Sequence, residues 1–252
     1  MNLHNLEDHH KKPQDKVSNI TKLIPNGITI LALCSGLTSI RYSILEQWKV
    51  ASLLIVIAAV LDFFDGWVAK KLMGGSRFGA ELDNLSDIIS FGVAPSILIY
   101  YWTLFNFNSF GWAISLFFVM CAALRLARFT TDIYLSNLPI NKSKYFVGIP
   151  SPAAAGLILF TLLASFNFEY SFLKSPFLNG LILLLVGLLM ISKVPTISLK
   201  NLSIKPIYRT WFILGISIIS IGLISNIWFT LLSALLIYII SIFYTIISNF
   251  KK

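Results

Sequence analysis

The sequence predicts an all-α protein, a polytopic transmembrane helical bundle of about eight spans, and three observations predict it. The first is composition: of 252 residues, 56% are hydrophobic and 12% are charged, with a mean hydropathy of +0.79. Soluble domains carry about 25% charged residues, so these charges are too few to coat a water-facing exterior. The second is a succession of apolar runs, each near the roughly 20 residues that a helix needs to cross a bilayer. The third is charge alternation. Of the 20 Lys and Arg residues, 17 lie in the amino-terminal tail, in every second connection or at the carboxyl terminus. An odd number of spans would spoil that pattern. The same composition excludes disorder, collagen-like repeats and a disulfide scaffold. Cys34 and Cys121 lie in apolar runs with no CxxC partner and read as small core residues.

Each element follows in order. Residues 1–22 form a polar tail without the apolar centre of a signal peptide. His4, His9 and His10 in it fit a mobile tail better than a metal site. Apolar runs at 24–45 and 48–70 predict the first two spans. The basic connection Lys70–Phe78, with Gly74 and Gly75, is short enough to make the second and third spans antiparallel neighbours. Spans three and four fall at 80–105 and 110–130, the latter followed by a basic connection. Span five, 150–169, opens on Pro150-Ser151-Pro152, an entrance with fixed backbone angles. Span six covers 177–192. Lys193–Arg209, with two prolines, reads as a loop. Spans seven and eight, 210–225 and 227–248, join tightly at Ser225–Asn226. No acidic residue follows Glu169, so this last part reads as lipid-facing scaffold.

The chain thus divides into a cytoplasmic tail (1–22), a membrane core (23–192), a basic cytoplasmic loop (193–209) and an additional helix pair (210–252). The positive-inside rule places both termini in the cytoplasm of a cell-membrane protein. Trp48, Trp102, Trp112, Trp211 and Trp228 lie near span ends, where indole rings favour the lipid–water boundary. The net charge of +9 is accounted for by topology and by attraction to anionic lipid headgroups, not by nucleic acid.

Five of the 11 acidic residues fall between positions 62 and 87. A charged side chain within a spanning helix costs about 2.5–3.5 kcal/mol on insertion scales, so such residues mark function by default. Asp62, Asp65, Gly66 and Ala69 share one helical stripe, and Gly79, Asp83 and Asp87 share another. On antiparallel neighbours the two stripes can face each other, bringing four carboxylates to one point near the cytoplasmic surface. Small residues in the stripes permit close helix approach or leave room for a ligand. Four like charges cannot all stay ionised there without positive charge among them. An all-oxygen cluster suits hard divalent cations such as Mg²⁺ or Mn²⁺, and two metals sharing carboxylates form a clamp for phosphoryl chemistry. Two other readings stay open at this point: a cation pathway, and a buried ion-pair network with Lys70, Lys71 and Arg77.

Written out, the segment is Asp62-x2-Asp65-Gly66-x2-Ala69-Lys70-x8-Gly79-x3-Asp83-x3-Asp87. It resembles the signature of the CDP-alcohol phosphatidyltransferases, D-x2-D-G-x2-A-R-x8-G-x3-D-x3-D. Seven of the eight fixed positions match over 26 residues, the departure being Lys70 in place of Arg. Lysine keeps the charge but loses the planar fork that grips a diphosphate with two parallel bonds. Pro25-Asn26-x2-Thr29 resembles the family's amino-terminal substrate-contact segment. Leu124–Phe129 and Tyr145–Ala155 resemble the RLARF and FxGLPSPAAA segments of the branch that uses serine, the phosphatidylserine synthases. The family's usual core has six spans, which makes the last two an appended pair.

The resemblance implies a reaction in phospholipid biosynthesis: L-serine and CDP-diacylglycerol give phosphatidylserine and CMP. It implies that Asp62, Asp65, Asp83 and Asp87 hold two divalent ions, and that Asp87 is the general base. Asn26, Thr29, Gly66, Lys70, Ser76 and Gly79 would bind the CDP-diacylglycerol. It also implies a homodimer. Arg125 and Arg128, at i and i+3, with Lys144 nearby, are candidates to receive the serine carboxylate or a lipid phosphate. Both arginines equally suit the role of positive-inside anchors. The competing functions are transfer to another alcohol, such as glycerol phosphate or an inositol phosphate, and cation transport across the membrane.

Overall fold

The computed structural model describes residues 19–71, 77–135, 145–192, 195–197 and 209–250. Among them the chain forms eight helical rods. Helix α1 spans Asn19–Ile44 and α2 spans Trp48–Lys71. The third rod runs without a break through α3 (Arg77–Asp87), a π-helical segment (Ile88–Val93) and α4 (Ala94–Trp102). A 3₁₀ turn at Leu104–Phe107 leads into α5 (Asn108–Leu135). Then follow β1 (Tyr145–Val147), α6 (Ser151–Ser165), a 3₁₀ turn (Ser171–Lys174) and α7 (Pro176–Ile191). The chain closes with β2 (Pro195–Ile197), α8 (Arg209–Ser225) and α9 (Ile227–Phe250).

Among the described residues, four segments are long and apolar enough to cross a bilayer by length and composition: Leu23–Ile44, Trp48–Lys71, Phe78–Trp102 and Leu104–Thr131. Helices α6 and α7, of 15 and 16 residues, are shorter but equally apolar. The expected span 150–169 ends early because the Asn167 side-chain amide donates to the Leu163 carbonyl at 3.2 Å and caps the last turn. Rods are tied together by serines as well as by apolar contact. Ser35 and Ser39 on α1 donate to the Leu54 and Ala51 carbonyls of α2, both at 2.8 Å. Phe91, Leu98, Phe118, Ile158, Leu162 and Leu183 form the centre of the core. The outer faces carry exposed Leu, Ile and Phe throughout, as lipid contact requires. Cys121 is buried as expected, whereas Cys34 lies on the exposed face of α1, so its small size serves no core packing.

Two further differences from the sequence-based reading have clear causes. Lys193–Arg209 is not wholly a loop: β2 pairs antiparallel with β1, Val147 opposite Pro195 and Tyr145 opposite Ile197. Thr196 and Ile197 are β-branched and favour the extended state. The carboxyl-terminal pair, expected as lipid-facing scaffold, exposes apolar side chains and also packs on the core. Helix α9 packs against α6 and β2, with Leu232 buried and Trp228 edge-on to Phe166 at 4.8 Å.

The α1–α2 turn closes with the Gln47 amide donating to the Tyr42 carbonyl at 2.9 Å, across exposed Glu46 at φ 57°. This is a Schellman closure in which glycine is the unstrained residue. Glu46→Gly is therefore expected to stabilise the protein by about 1 kcal/mol, seen as a higher midpoint of thermal unfolding in detergent.

Candidate active site

The site is assembled where α2 ends and α3 begins, with α1 as its back wall. Helices α2 and α3 both pack mainly on α1, and α2 meets the third rod at the π segment and α4 rather than at α3. The two rods therefore converge at their far ends and part towards the site. This modifies the expectation of simple antiparallel neighbours: α1 wedges the acidic ends apart. The wedge is held tightly. A Cβ on Gly36 of α1 would lie 2.8 Å from the Ser90 backbone, so only glycine permits that approach. Ser86 and Ser90 donate to the Thr29 and Ala32 carbonyls of α1 at 3.4 and 3.2 Å.

Carboxylates from α2 and α3 face each other across the resulting cleft. Asp62, Asp83 and Asp87 each supply one oxygen, and the three atoms lie within 4.8 Å of one another. Asp65, one turn beyond Asp62, is buried and accepts a 2.6 Å hydrogen bond from the Thr29 hydroxyl. The carbonyl of Pro25 lies 3.0 Å from the same hydroxyl and shares its single proton. Asp83 Oδ1 and Asp87 Oδ1 are buried with no hydrogen-bond partner among the described residues. Buried carboxylate oxygens in mutual repulsion and without donors call for a proton or a cation among them. An all-oxygen donor set with open lone pairs fits Mg²⁺ or Mn²⁺. The centre is thus consistent with divalent metal binding.

The π segment begins immediately after Asp87, with the Ala94 amide reaching back to the Ile89 carbonyl. Such a turn holds one extra residue and re-phases the helix. Asp83 and Asp87 can then face the cleft while Phe91, Ala94 and Leu98 stay buried in the core. The sequence reading passed over this feature. Its one signal is Pro95, which lacks the N–H that Phe91 would accept in a regular α-helix.

The remaining expected residues divide by position. Asn26 is half-buried on α1, three residues before Thr29 and next to Pro25, whose carbonyl shares the Thr29 proton. Nothing lies within 4 Å of a Cβ built on Gly66, so this glycine faces open space and does not serve helix packing. Lys70 is exposed at the end of α2, and Gly79 sits half-buried in the first turn of α3. Ser76 and Lys144 fall outside the described residues.

The two arginines of α5 part company. Arg125 lies within electrostatic reach of Asp87, and its Nη1 donates to the Ser151 hydroxyl at 2.6 Å. Arg128 Nη1 donates instead to the Ile191 carbonyl at 2.9 Å, at the end of α7. A guanidinium at that place satisfies an orphan carbonyl and complements the helix dipole. Asn84 Nδ2 also links α3 to α5 by donating to Thr130 Oγ1 at 3.3 Å. That tie aligns the acidic helix with the arginines.

Fold and site together define a polytopic helical membrane protein with a clustered acidic centre, consistent with divalent metal binding, between two of its rods. The chain belongs to the CDP-alcohol phosphatidyltransferase family, whose model matches residues 22–246 and so runs into α9. A Mycobacterium leprae protein described as CDP-diacylglycerol–serine O-phosphatidyltransferase is 32% identical over 213 residues, covering 84% of this chain and 71% of its own. A Helicobacter pylori protein of the same description is 39% identical over 176 residues, covering 68% of this chain and 70% of its own. An archaetidylserine synthase from Methanothermobacter thermautotrophicus is 37% identical over 173 residues and covers 68% of each chain.

Proposed function

We propose that the protein transfers the phosphatidyl group of CDP-diacylglycerol to the hydroxyl of L-serine, giving phosphatidylserine and CMP. The observation that carries this reading is the cleft itself. Three carboxylates from two rods converge within 4.8 Å, beside a half-buried arginine suited to an amino-acid carboxylate. Membership of the family and the printed descriptions of the relatives agree with it.

In this reading Asp62, Asp65, Asp83 and Asp87 hold two divalent ions, Mg²⁺ or Mn²⁺. When bound, such ions neutralise the diphosphate and the charge that develops on the leaving group. Thr29 keeps Asp65 oriented through the 2.6 Å bond. Asn26, Gly66, Lys70, Ser76 and Gly79 receive the CDP moiety, and the open space at Gly66 admits it close to the α2 backbone. Phe63, Phe64, Trp67 and Phe78 expose apolar surface on the rods that carry the site, where the acyl chains stay in lipid. Arg125 takes the serine carboxylate, while Arg128 and Lys144 contribute positive charge around it. Asp87 accepts the proton of the serine hydroxyl as that oxygen attacks the phosphorus bearing the diacylglycerol. The bond from that phosphorus to CMP breaks, and CMP leaves with the electron pair. A serine hydroxyl is a poor nucleophile near neutrality, so a base within hydrogen-bond reach is required.

The reading extends to placement. The catalytic core is 23–192, followed by the basic segment 193–209 and the helix pair 210–252. Both termini and the cleft face the cytoplasm of the cell membrane, and two copies form a homodimer. The test is CMP release from CDP-diacylglycerol by the purified protein, with and without serine, before and after chelation. Serine is expected to stimulate release, EDTA to abolish it and added Mg²⁺ or Mn²⁺ to restore it. Stimulation by glycerol phosphate or an inositol phosphate in place of serine would overturn the acceptor assignment. Full activity after thorough chelation would overturn the metal assignment.

A further inference from the structure

Tyr238 stands in α9, in the part of the chain that composition marks as lipid-facing scaffold, yet its hydroxyl is buried and makes no hydrogen bond among the described residues. A buried phenol ordinarily finds a partner. Its surroundings follow from the register of α9 on α6. Trp228 meets Phe166 near the end of α6, and Leu235 fills the space over Gly156, where a Cβ would come within 2.7 Å of its Cδ2. The helices are therefore antiparallel, and one further turn of α9 brings Tyr238 level with the start of α6. That start is Ser151, the residue to which Arg125 donates. Arg125 lies within electrostatic reach of both Tyr238 and Asp87.

Arg125 Nε is a second buried donor with no acceptor among the described residues. Two unpartnered donors, one of them cationic, thus lie around the guanidinium that holds the Ser151 hydroxyl and faces Asp87 electrostatically. Donors of this kind call for an oxyanion. The edge of a guanidinium matches a carboxylate bidentately, and a phenol O–H adds a third bond from the opposite wall.

We propose that Tyr238 of α9 and Nε of Arg125 together bind the carboxylate of the acceptor amino acid, which makes Tyr238 a specificity-determining residue of the transfer reaction. This rests on serine being the acceptor. With its carboxylate held there, the acceptor's hydroxyl points towards Asp87. An alcohol without a carboxylate leaves both donors buried and unpaired, and a site of that kind rejects the analogue strongly. The last helix pair then contributes a wall of the acceptor pocket.

The same donors could receive a phosphate of the liponucleotide, and kinetics separate the two. In CMP-release assays on the purified full chain, Tyr238→Phe is expected to raise the KM for serine about tenfold, as the loss of one hydrogen bond to a charged group implies. The KM for CDP-diacylglycerol is expected to stay within about twofold, since the phenol does not touch it. Preference for serine over serinol, in which a hydroxymethyl group replaces the carboxylate, is expected to fall by the same factor of about ten. A raised KM for CDP-diacylglycerol alone would reassign the hydroxyl to the lipid phosphate and overturn the proposal. Unchanged kinetics with serine stimulation intact would reduce Tyr238 to packing. Wild-type protein that uses serinol as readily as serine would also end it, whatever the variant's folding. Wild-type stimulation only by a different alcohol would overturn the serine assignment, and this proposal with it.

Discussion

Asp87→Asn is expected to lower serine-dependent CMP release by about a thousandfold while making the metal-free protein more resistant to heat. The loss follows from two roles at one carboxylate, since general-base catalysis alone contributes about 10²–10⁴-fold. An amide cannot accept the serine proton and donates where a cation would need an oxygen. The gain in resistance follows from electrostatics. Asp87 Oδ1 is buried without a partner, and its carboxylate group lies among those of Asp62 and Asp83, with contributing oxygens within 4.8 Å. Replacing one of three mutually repelling carboxylates relieves the cluster in the absence of metal. Function here is bought with local instability. Thermal unfolding in detergent, with EDTA or with Mg²⁺, separates the two effects. In EDTA the variant should melt above the wild type. With Mg²⁺ the wild type should rise by mass action, by about 2.7 kcal/mol at a hundredfold excess over Kd, whereas the variant should rise far less. A variant that melts lower in EDTA would show that Asp87 is not repelled, and one that keeps the full Mg²⁺ response would show that it is not a ligand.

Much of this was legible in the chain because the bilayer restricts the choices so severely. Apolar run length and the alternation of Lys and Arg locate the eight rods to within a few residues. The i, i+3 and i+4 spacing of Asp62, Asp65, Gly79, Asp83 and Asp87 identifies the faces that meet. What spacing cannot supply is which third helix packs where. Gly36 announces a close approach without naming Ser90 as the residue approached. The parting of α2 from α3, which creates the cleft, therefore depends on tertiary packing. The π segment after Asp87 leaves only the trace of Pro95. Pairing of β2 with β1 joins segments nearly 50 residues apart and too short to show alternation. Tyr238 was the hardest to read. A single hydroxyl in an apolar helix is commonplace, and its meaning comes from the register of α9 against α6. The same holds for Arg125 and Arg128, which sequence treats alike and which the ends of α6 and α7 distinguish.

The second large effect belongs to a glycine that touches no substrate. Gly148→Ala is expected to destabilise the protein by about 2 kcal/mol or more, with a fall in melting temperature on the order of 5 °C and a matching loss of serine-dependent activity. Gly148 links β1 to α6 at φ +82°, a conformation that costs an L-residue about 1–2 kcal/mol. A Cβ there would also lie 2.6 Å from the Met190 carbonyl oxygen and 3.1 Å from that of Ser192. Those atoms belong to the end of α7, whose Ile191 carbonyl accepts from Arg128, so they cannot withdraw freely. The β1–α6 link must move instead, carrying Ser151 away from Arg125 and loosening the acceptor end of the pocket. Asparagine tolerates positive φ better than alanine, which separates the two causes. If backbone strain alone mattered, Gly148→Asn would recover much of the loss. Because the carbonyl oxygens block any Cβ, Gly148→Asn should be as damaging as Gly148→Ala, and a stable, active Asn variant would show that α7 yields at this contact.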